Sequence, residues 1–221
     1  MKNNEDYIGC DETGVGDFFS PIVFVAAYIY PENYLKILNL GVKDSKKITD
    51  KKILEIAPQI MKLTKFTGTI LTQQGNNQLA NNFNTNEVKL IYHYLNINKL
   101  QKEIDKQAFI DQFSTLNSIK KYEDKLSKIL NTFIIPKYPV NFETKAEDKI
   151  LSVACASILA RYYLLIEMQK QDQKYHMHFP LGASSSVIEF GKKFLKIYGQ
   201  EKLKEVSKTN FKTFSQITTN K

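Results

Sequence analysis

The chain has 221 residues, 43% hydrophobic and 24% charged, which fits one large domain or two small ones and excludes a chain disordered by composition. Its net charge is +8 and its pI about 9.2, which favours polyanionic partners, nucleic acid first. The excess is uneven: residues 1–110 hold 13 Lys against 12 acids, and residues 111–221 hold 17 Lys and one Arg against 11 acids.

In chain order, Tyr7 to Asp11 reads as a short strand broken by Gly14 and Gly16. Pro21 to Tyr30 is a near-continuous β-branched and aromatic run, the pattern of a central strand buried on both faces. Ile48 to Leu63 reads as a helix, with Thr49 as N-cap and Pro58 inside it. Lys65 to Thr72 alternates as a strand does. Residues 73–86 are rich in Gln and Asn and read as a loop or a short helix, with Asn86 capping a helix over Glu87 to Lys102.

Gln107 to Gln112 is a short strand, Ser118 to Leu130 a helix, and Val140 to Glu143 a brief strand after Pro136 and Pro139. A long helix follows from about Ala146 to Gln171. Gly182 to Ser186 is a loop, and Ser186 to Tyr198 and Glu201 to Ser207 are amphipathic helical segments. Strands that alternate with helices predict an α/β fold with a mixed sheet and helices on both faces. No repeat and no Pro/Gly/Ser-rich linker divides the sequence. One domain over 1–221 is expected, with a helical C-terminal extension from about residue 172.

Cys10 and Cys155 sit in apolar runs, as small buried hydrophobes do, and a reducing cytoplasm is the expected location. The first residues carry no apolar stretch of signal-peptide length. The longest apolar run, Ile150 to Ile166, contains Ser152, Ser157 and Arg161 and is short for a membrane span. A buried helix is expected there, and no membrane. With Arg161 as the single Arg, the basic surface suits sequence-independent phosphate contact better than base reading. Taken alone, such charge is more often just a solvated Lys-rich face.

Three acidic segments carry the chemistry. Asp11-Glu12-Thr13-Gly14-Val15-Gly16 places two acids before a Gly turn. Neighbours on a regular strand point to opposite faces, so the two can share a site only where the strand ends. Asp111 closes the apolar Phe109-Ile110, where an acid is desolvated unless paired or metal-bound. Glu147 lies in Thr144-Lys145-Ala146-Glu147, which is also the spacing of a helix capping box, and Asp148 is its neighbour and rival. Each segment alone is met as well by a polar turn or a cap. Together, clustered acids repel one another, and hard divalent cations offset that repulsion. Ser152, Ala156 and Ala160 form a small-residue stripe that lets a helix pack closely on a sheet. His93 reads as a helix-surface residue, and His176 and His178 as loop residues. Neither a P-loop nor a nucleophile elbow is present.

In combination these segments resemble bacterial ribonuclease H of types 2 and 3. The run from Gly9 to Phe19 is most similar to type 3, ribonuclease HIII; type 2 usually has Arg where this chain has Val15. Asp44-Ser45-Lys46-Lys47, Phe109 to Phe113, and Phe142 to Glu147 continuing into Val153 to Tyr162 follow in the family's order. The resemblance implies a ribonuclease H-like fold with a five-stranded mixed sheet, and endonucleolytic cleavage of the RNA strand of RNA/DNA hybrids. It implies two metal ions, Mg²⁺ or Mn²⁺, and products with a 5′-phosphate and a 3′-hydroxyl.

By motif match, Asp11, Glu12, Asp111 and Glu147 are the catalytic metal ligands. Thr13, Gly14, Val15 and Gly16 would meet the 2′-hydroxyls, and Ser45, Lys46 and Lys145 the phosphates. A monomer is the expected state. Two alternatives stay open: a type 2 enzyme acting on single ribonucleotides in DNA, and a non-catalytic nucleic-acid-binding domain. Type 3 enzymes usually carry an extra N-terminal substrate-binding domain. The first strand here starts at about Tyr7, so this is either a trimmed form or one lacking that domain, and weaker hybrid binding is expected. Thr209-Asn210-Phe211 departs from the His-Phe of the family pattern.

Overall fold

A computed structural model describes residues 6–42 and 48–219. Five strands, β1 (Ile8–Thr13), β2 (Ile22–Ile29), β3 (Thr64–Leu71), β4 (Ala108–Asp111) and β5 (Val140–Glu143), form one mixed sheet in the order β3-β2-β1-β4-β5. β1 runs parallel to β4, and β4 parallel to β5, with Cys10 beside Ile110 and Asp111 beside Glu143. Every residue of β2 is buried, as its unbroken apolar run requires.

The helices are α1 (Tyr34–Asn39), α2 (Asp50–Leu63), α3 (Gln73–Leu79), α4 (Thr85–Leu100), α5 (Leu116–Ile129), α6 (Ala146–Lys149), α7 (Leu151–Tyr175), α8 (Ser185–Val206) and α9 (Lys212–Thr218). Thr49 caps α2 through the Lys52 N–H, and Pro58 is accommodated within that helix. α4 starts two residues before the predicted point. Asn84, not Asn86, is its cap, in a full capping box with Glu87. α8 joins the two predicted amphipathic segments across a kink at Gly199, whose φ is 81°. α1 and α9 had no counterpart in the sequence reading.

The expected long helix from Ala146 is two helices, because Ile150 is extended (φ −123°, ψ 115°). The residue ahead of α6 is Lys145, in the left-handed region at φ 53°. α6 carries no side-chain cap, so the Thr144–Glu147 capping box does not form. A left-handed non-glycine residue costs about 1–2 kcal/mol, and here it turns the chain sharply out of β5.

Two compact units are distinguished. One takes in Met1–Glu12, Phe24–Thr69 and Asn84–Tyr162, and so holds nearly all of the sheet with α2, α4, α5 and α6. In it, Gly9 brings β1 against the start of α7 so closely that a Cβ there would overlap the backbone of Ser152 and Val153. That is the close approach predicted from the small stripe: Ser152, Ala156 and Ala160 are all buried.

The other unit takes in Thr13–Val23, Ile70–Phe83 and Tyr163–Lys221. Its core is aromatic: Phe19 meets Phe179 and Phe190 edge to face, and Phe179 packs at a tilt on Phe190 and Phe194. α7 is the one described helix long and apolar enough to cross a membrane. With 61% of that window buried in the protein, it has the pattern of a core helix.

Candidate active site

Asp11 in the carboxyl half of β1 and Asp111 at the carboxyl end of the neighbouring parallel strand β4 each lie one residue beyond the Cys10–Ile110 pair. The carboxyl ends of parallel strands are where ligands of open α/β sheets bind. Burial raises the Asp11 carboxyl well above its ordinary range, and the charges of Glu12 and Asp111 push the same way. A Ser157 hydroxyl from α7 and the Glu12 N–H, at 2.8 Å, stabilise its ionised form but do not cancel that rise.

Asp111 accepts the Ala146 N–H at 2.9 Å. The left-handed turn at Lys145 delivers that donor to the acid. Two residues further on is Glu147, 2% exposed. Ala146, Ile150 and Val153 pack with Phe109 of β4, so the chain that carries Glu147 is seated on the strand that ends in Asp111. The two acids therefore belong to one piece of rigid structure.

Glu12 departs from the sequence expectation. β1 does not end at Asp11; it runs to Thr13, and neighbouring side chains part. Glu12 turns to α4, where Lys89 pairs with Oε1 and His93 Nε2 donates to Oε2 at 2.8 Å. Burial alone would raise the Glu12 carboxyl, but these two partners outweigh it and hold it down at about 2. His93 is 1% exposed, so its assignment to a helix surface is corrected. Lys89 and His93 were both missed as site residues. Their i, i+4 spacing, which puts them on one face of α4, is the signal that was there to use.

Among the described residues, no three His, Cys, Asp or Glu side chains are close enough together to hold a metal ion as they stand. The donor types nonetheless suit a hard cation. Asp11 and Asp111 are carboxylates that repel each other, and Glu147 is a buried acid that follows Ala146, the residue whose N–H Asp111 accepts.

Thr13 to Gly16 follow directly on the acids. Gly14 has φ 86°, and a Cβ on it would overlap the Pro21 carbonyl, so that position requires glycine. Asp17 N–H closes a turn on the Gly14 carbonyl at 3.2 Å. Lys145 is exposed. Ser45 and Lys46 lie outside the described residues.

The family model described as Ribonuclease HII matches residues 8–214. Ribonuclease HIII of Oceanobacillus iheyensis is 35% identical over 213 residues, covering 94% of this chain and 67% of the relative. The crystal structure of Bst-RNase HIII in complex with Mn²⁺ superposes with a TM-score of 0.88 at 33% identity, over 96% of this chain and 68% of that one. Aquifex aeolicus RNase H3 superposes with a TM-score of 0.75 at 27% identity, over 94% of this chain and 73% of that one.

Proposed function

The chain belongs to the ribonuclease HII family, in its ribonuclease HIII branch, and on that premise we propose that Asp11, Glu12, Asp111 and Glu147 are its catalytic, metal-binding carboxylates. The protein is an endoribonuclease that cleaves RNA/DNA hybrids by metal-dependent hydrolysis. The observation that carries the residue assignment is the bond from Ala146 N–H to Asp111, which ties the Glu147 segment to the strand beside Asp11.

Mg²⁺ or Mn²⁺ bound by these acids supplies an activated water and stabilises the leaving oxygen, the chemistry of paired metal ions in phosphodiester cleavage. The protein's part is orientation. Ser157 and the Glu12 N–H fix Asp11, Ala146 fixes Asp111, and Lys89 and His93 keep Glu12 ionised. The products expected are a 5′-phosphate and a 3′-hydroxyl.

We assign recognition of the RNA strand to the turn of Thr13, Gly14, Val15 and Gly16, whose backbone can approach a sugar closely and read its 2′-hydroxyl. Ser45, Lys46 and Lys145 are assigned to phosphates. The whole sequence is read as one catalytic domain with C-terminal helices, acting as a cytoplasmic monomer. Two buried free cysteines suit a reducing compartment.

The test is a gel assay of end-labelled RNA/DNA hybrid, single-ribonucleotide duplex and double-stranded RNA, each with Mg²⁺, Mn²⁺ or EDTA. Metal-dependent cutting of the long hybrid, with ends that a DNA polymerase extends, supports the reading. Preferential cutting of the single-ribonucleotide duplex moves the specificity to type 2. Hybrid binding without cleavage under either metal overturns the catalytic assignment.

A further inference from the structure

The turn assigned to the RNA strand is gripped by a lysine that the mechanism above does not use. Lys208 lies between α8 and α9 and is 1% exposed. Its ammonium donates to the Gly14 carbonyl and, at 2.6 Å, to the Asp17 carbonyl, the two ends of the turn. Its own N–H donates to the Phe18 carbonyl at 3.0 Å. Ser20 Oγ adds a longer bond to the Gly14 carbonyl at 3.3 Å. Asp17 does not pair with the ammonium through its side chain; Oδ1 accepts the Gly182 N–H at 2.7 Å.

Burying an ammonium is costly, and an apolar side chain would fill the space more cheaply. What Lys208 does that an apolar residue cannot is hold two carbonyl oxygens. The Gly14 carbonyl and the Val15 N–H share one rigid peptide plane and point in opposite directions. Fixing the carbonyl therefore fixes the N–H. Burial lowers the Lys208 pKa to about 7; in its protonated form the ammonium on the oxygen also polarises the peptide and makes that N–H a stronger donor. The turn's own hydrogen bond runs from Asp17 N–H to Gly14, so it does not use the Val15 N–H.

We propose that Lys208 is a positioning residue for hybrid recognition: by clamping the Gly14 and Asp17 carbonyls, it aims and polarises the Val15 N–H as a donor to the RNA strand. The proposal rests on the assignment of the Thr13–Gly16 turn to substrate.

The experiment compares wild type with K208M, S20A and G16A, measuring melting temperature, hybrid affinity by fluorescence anisotropy in EDTA, and kcat and KM in Mg²⁺. K208M is expected to weaken hybrid affinity and raise KM by about tenfold, with kcat within about threefold, at a temperature where it is folded. S20A leaves Lys208 in place and removes the longer bond to the Gly14 carbonyl together with the Ser20 contacts to Asp17 Oδ2 and the Pro21 carbonyl; it is expected to shift KM the same way by about twofold, which keeps the idea testable if K208M fails to fold.

A K208M that melts lower yet binds hybrid like wild type overturns the proposal, since a merely structural lysine behaves so. If K208M does not fold, wild-type KM in S20A overturns it. G16A separates the two readings, because a Cβ there meets no atom within 4 Å. Weaker binding in G16A with normal binding in K208M sinks only the role of Lys208. Normal binding in both sinks the substrate assignment of the turn as well.

Discussion

The Ala146 N–H donates to Asp111 Oδ1 at 2.9 Å, so the acid that ends β4 holds the first residue of the helix that carries Glu147. One bond, between residues 35 apart in sequence, ties together the segments that carry two proposed metal ligands. Substitutions at Asp111 should therefore separate chemistry from architecture. Asp111→Asn keeps an acceptor for Ala146 and should abolish cleavage with little loss of stability. Asp111→Ala should also destabilise the protein, by about 2 kcal/mol, the worth of a hydrogen bond to a charged group. Thermal melts of the two variants side by side check this. Equal melting temperatures would mean that the bond does not hold the loop.

Asp11 should cost stability in the absence of metal. Its folded pKa is raised by burial and then by Glu12 and Asp111, so the unfolded chain gives up this proton at lower pH than the folded protein does. The folded state then loses stability as pH rises above the ordinary Asp value, until the folded pKa is passed. Asp11→Asn should melt higher than wild type in EDTA at pH 8, with the gap narrowing toward pH 4. Added Mn²⁺ should raise the melting temperature of wild type more than that of the variant. A variant that melts lower than wild type in EDTA at pH 8 would contradict the assignment of repulsion to this acid.

With Glu12 as a metal ligand, as proposed, Lys89 would compete with the cation for it. Its ammonium pairs with Oε1 from a side chain only 14% exposed, where solvent screening is weak. Lys89→Met removes both the competitor and a positive charge that repels metal. The metal concentration giving half-maximal cleavage should fall by roughly threefold, with His93 still holding Oε2. A metal titration of activity reads this directly. A higher requirement would show that Lys89 instead orients Glu12 for the metal.

Gly9 sets how near α7 comes to β1. A Cβ there would overlap the main chain at Ser152 and Val153, which cannot move aside as a flexible side chain does. Gly9→Ala should cost at least about 3 kcal/mol and reduce the yield of folded protein, from overpacking at a buried backbone contact. Gly16→Ala should leave the melting temperature within about 2 °C of wild type, because the space around it is open. Denaturant titration of both variants distinguishes a glycine kept for packing from one kept for access.

Much of this architecture could be read from residue order. β2 appeared as an apolar run and β4 and β5 as short strands, all with the right bounds to within a residue, and Thr49 announced the start of α2. The break at Ile150 could not be read. Its neighbours are good helix formers, and what ends α6 is the packing of Ala146, Ile150 and Val153 on Phe109. The capping-box spacing at Thr144 misled for the same reason: the tertiary bond from Ala146 to Asp111 decides where that helix begins. α1 and α9, of six and seven residues, are too short for periodicity to declare them. Within the candidate site, the four proposed acids come from the resemblance. The partners of Glu12 were not legible, because only the fold brings α4 to β1. Lys208 looked like one more surface lysine in a basic half, and burial alone distinguishes it.

The most direct test is single-turnover cleavage of a labelled RNA/DNA hybrid at saturating Mg²⁺ by wild type and by D11N, E12Q, D111N and E147Q, each shown by melting to be folded. If these four side chains form one metal site, every variant should lose cleavage by on the order of 100-fold or more, because each loss removes a ligand from the same chemistry. A folded variant that cuts within about threefold of wild type would remove its residue from the site, and for Glu12 it would mean that pairing with Lys89 and His93 is that residue's whole role.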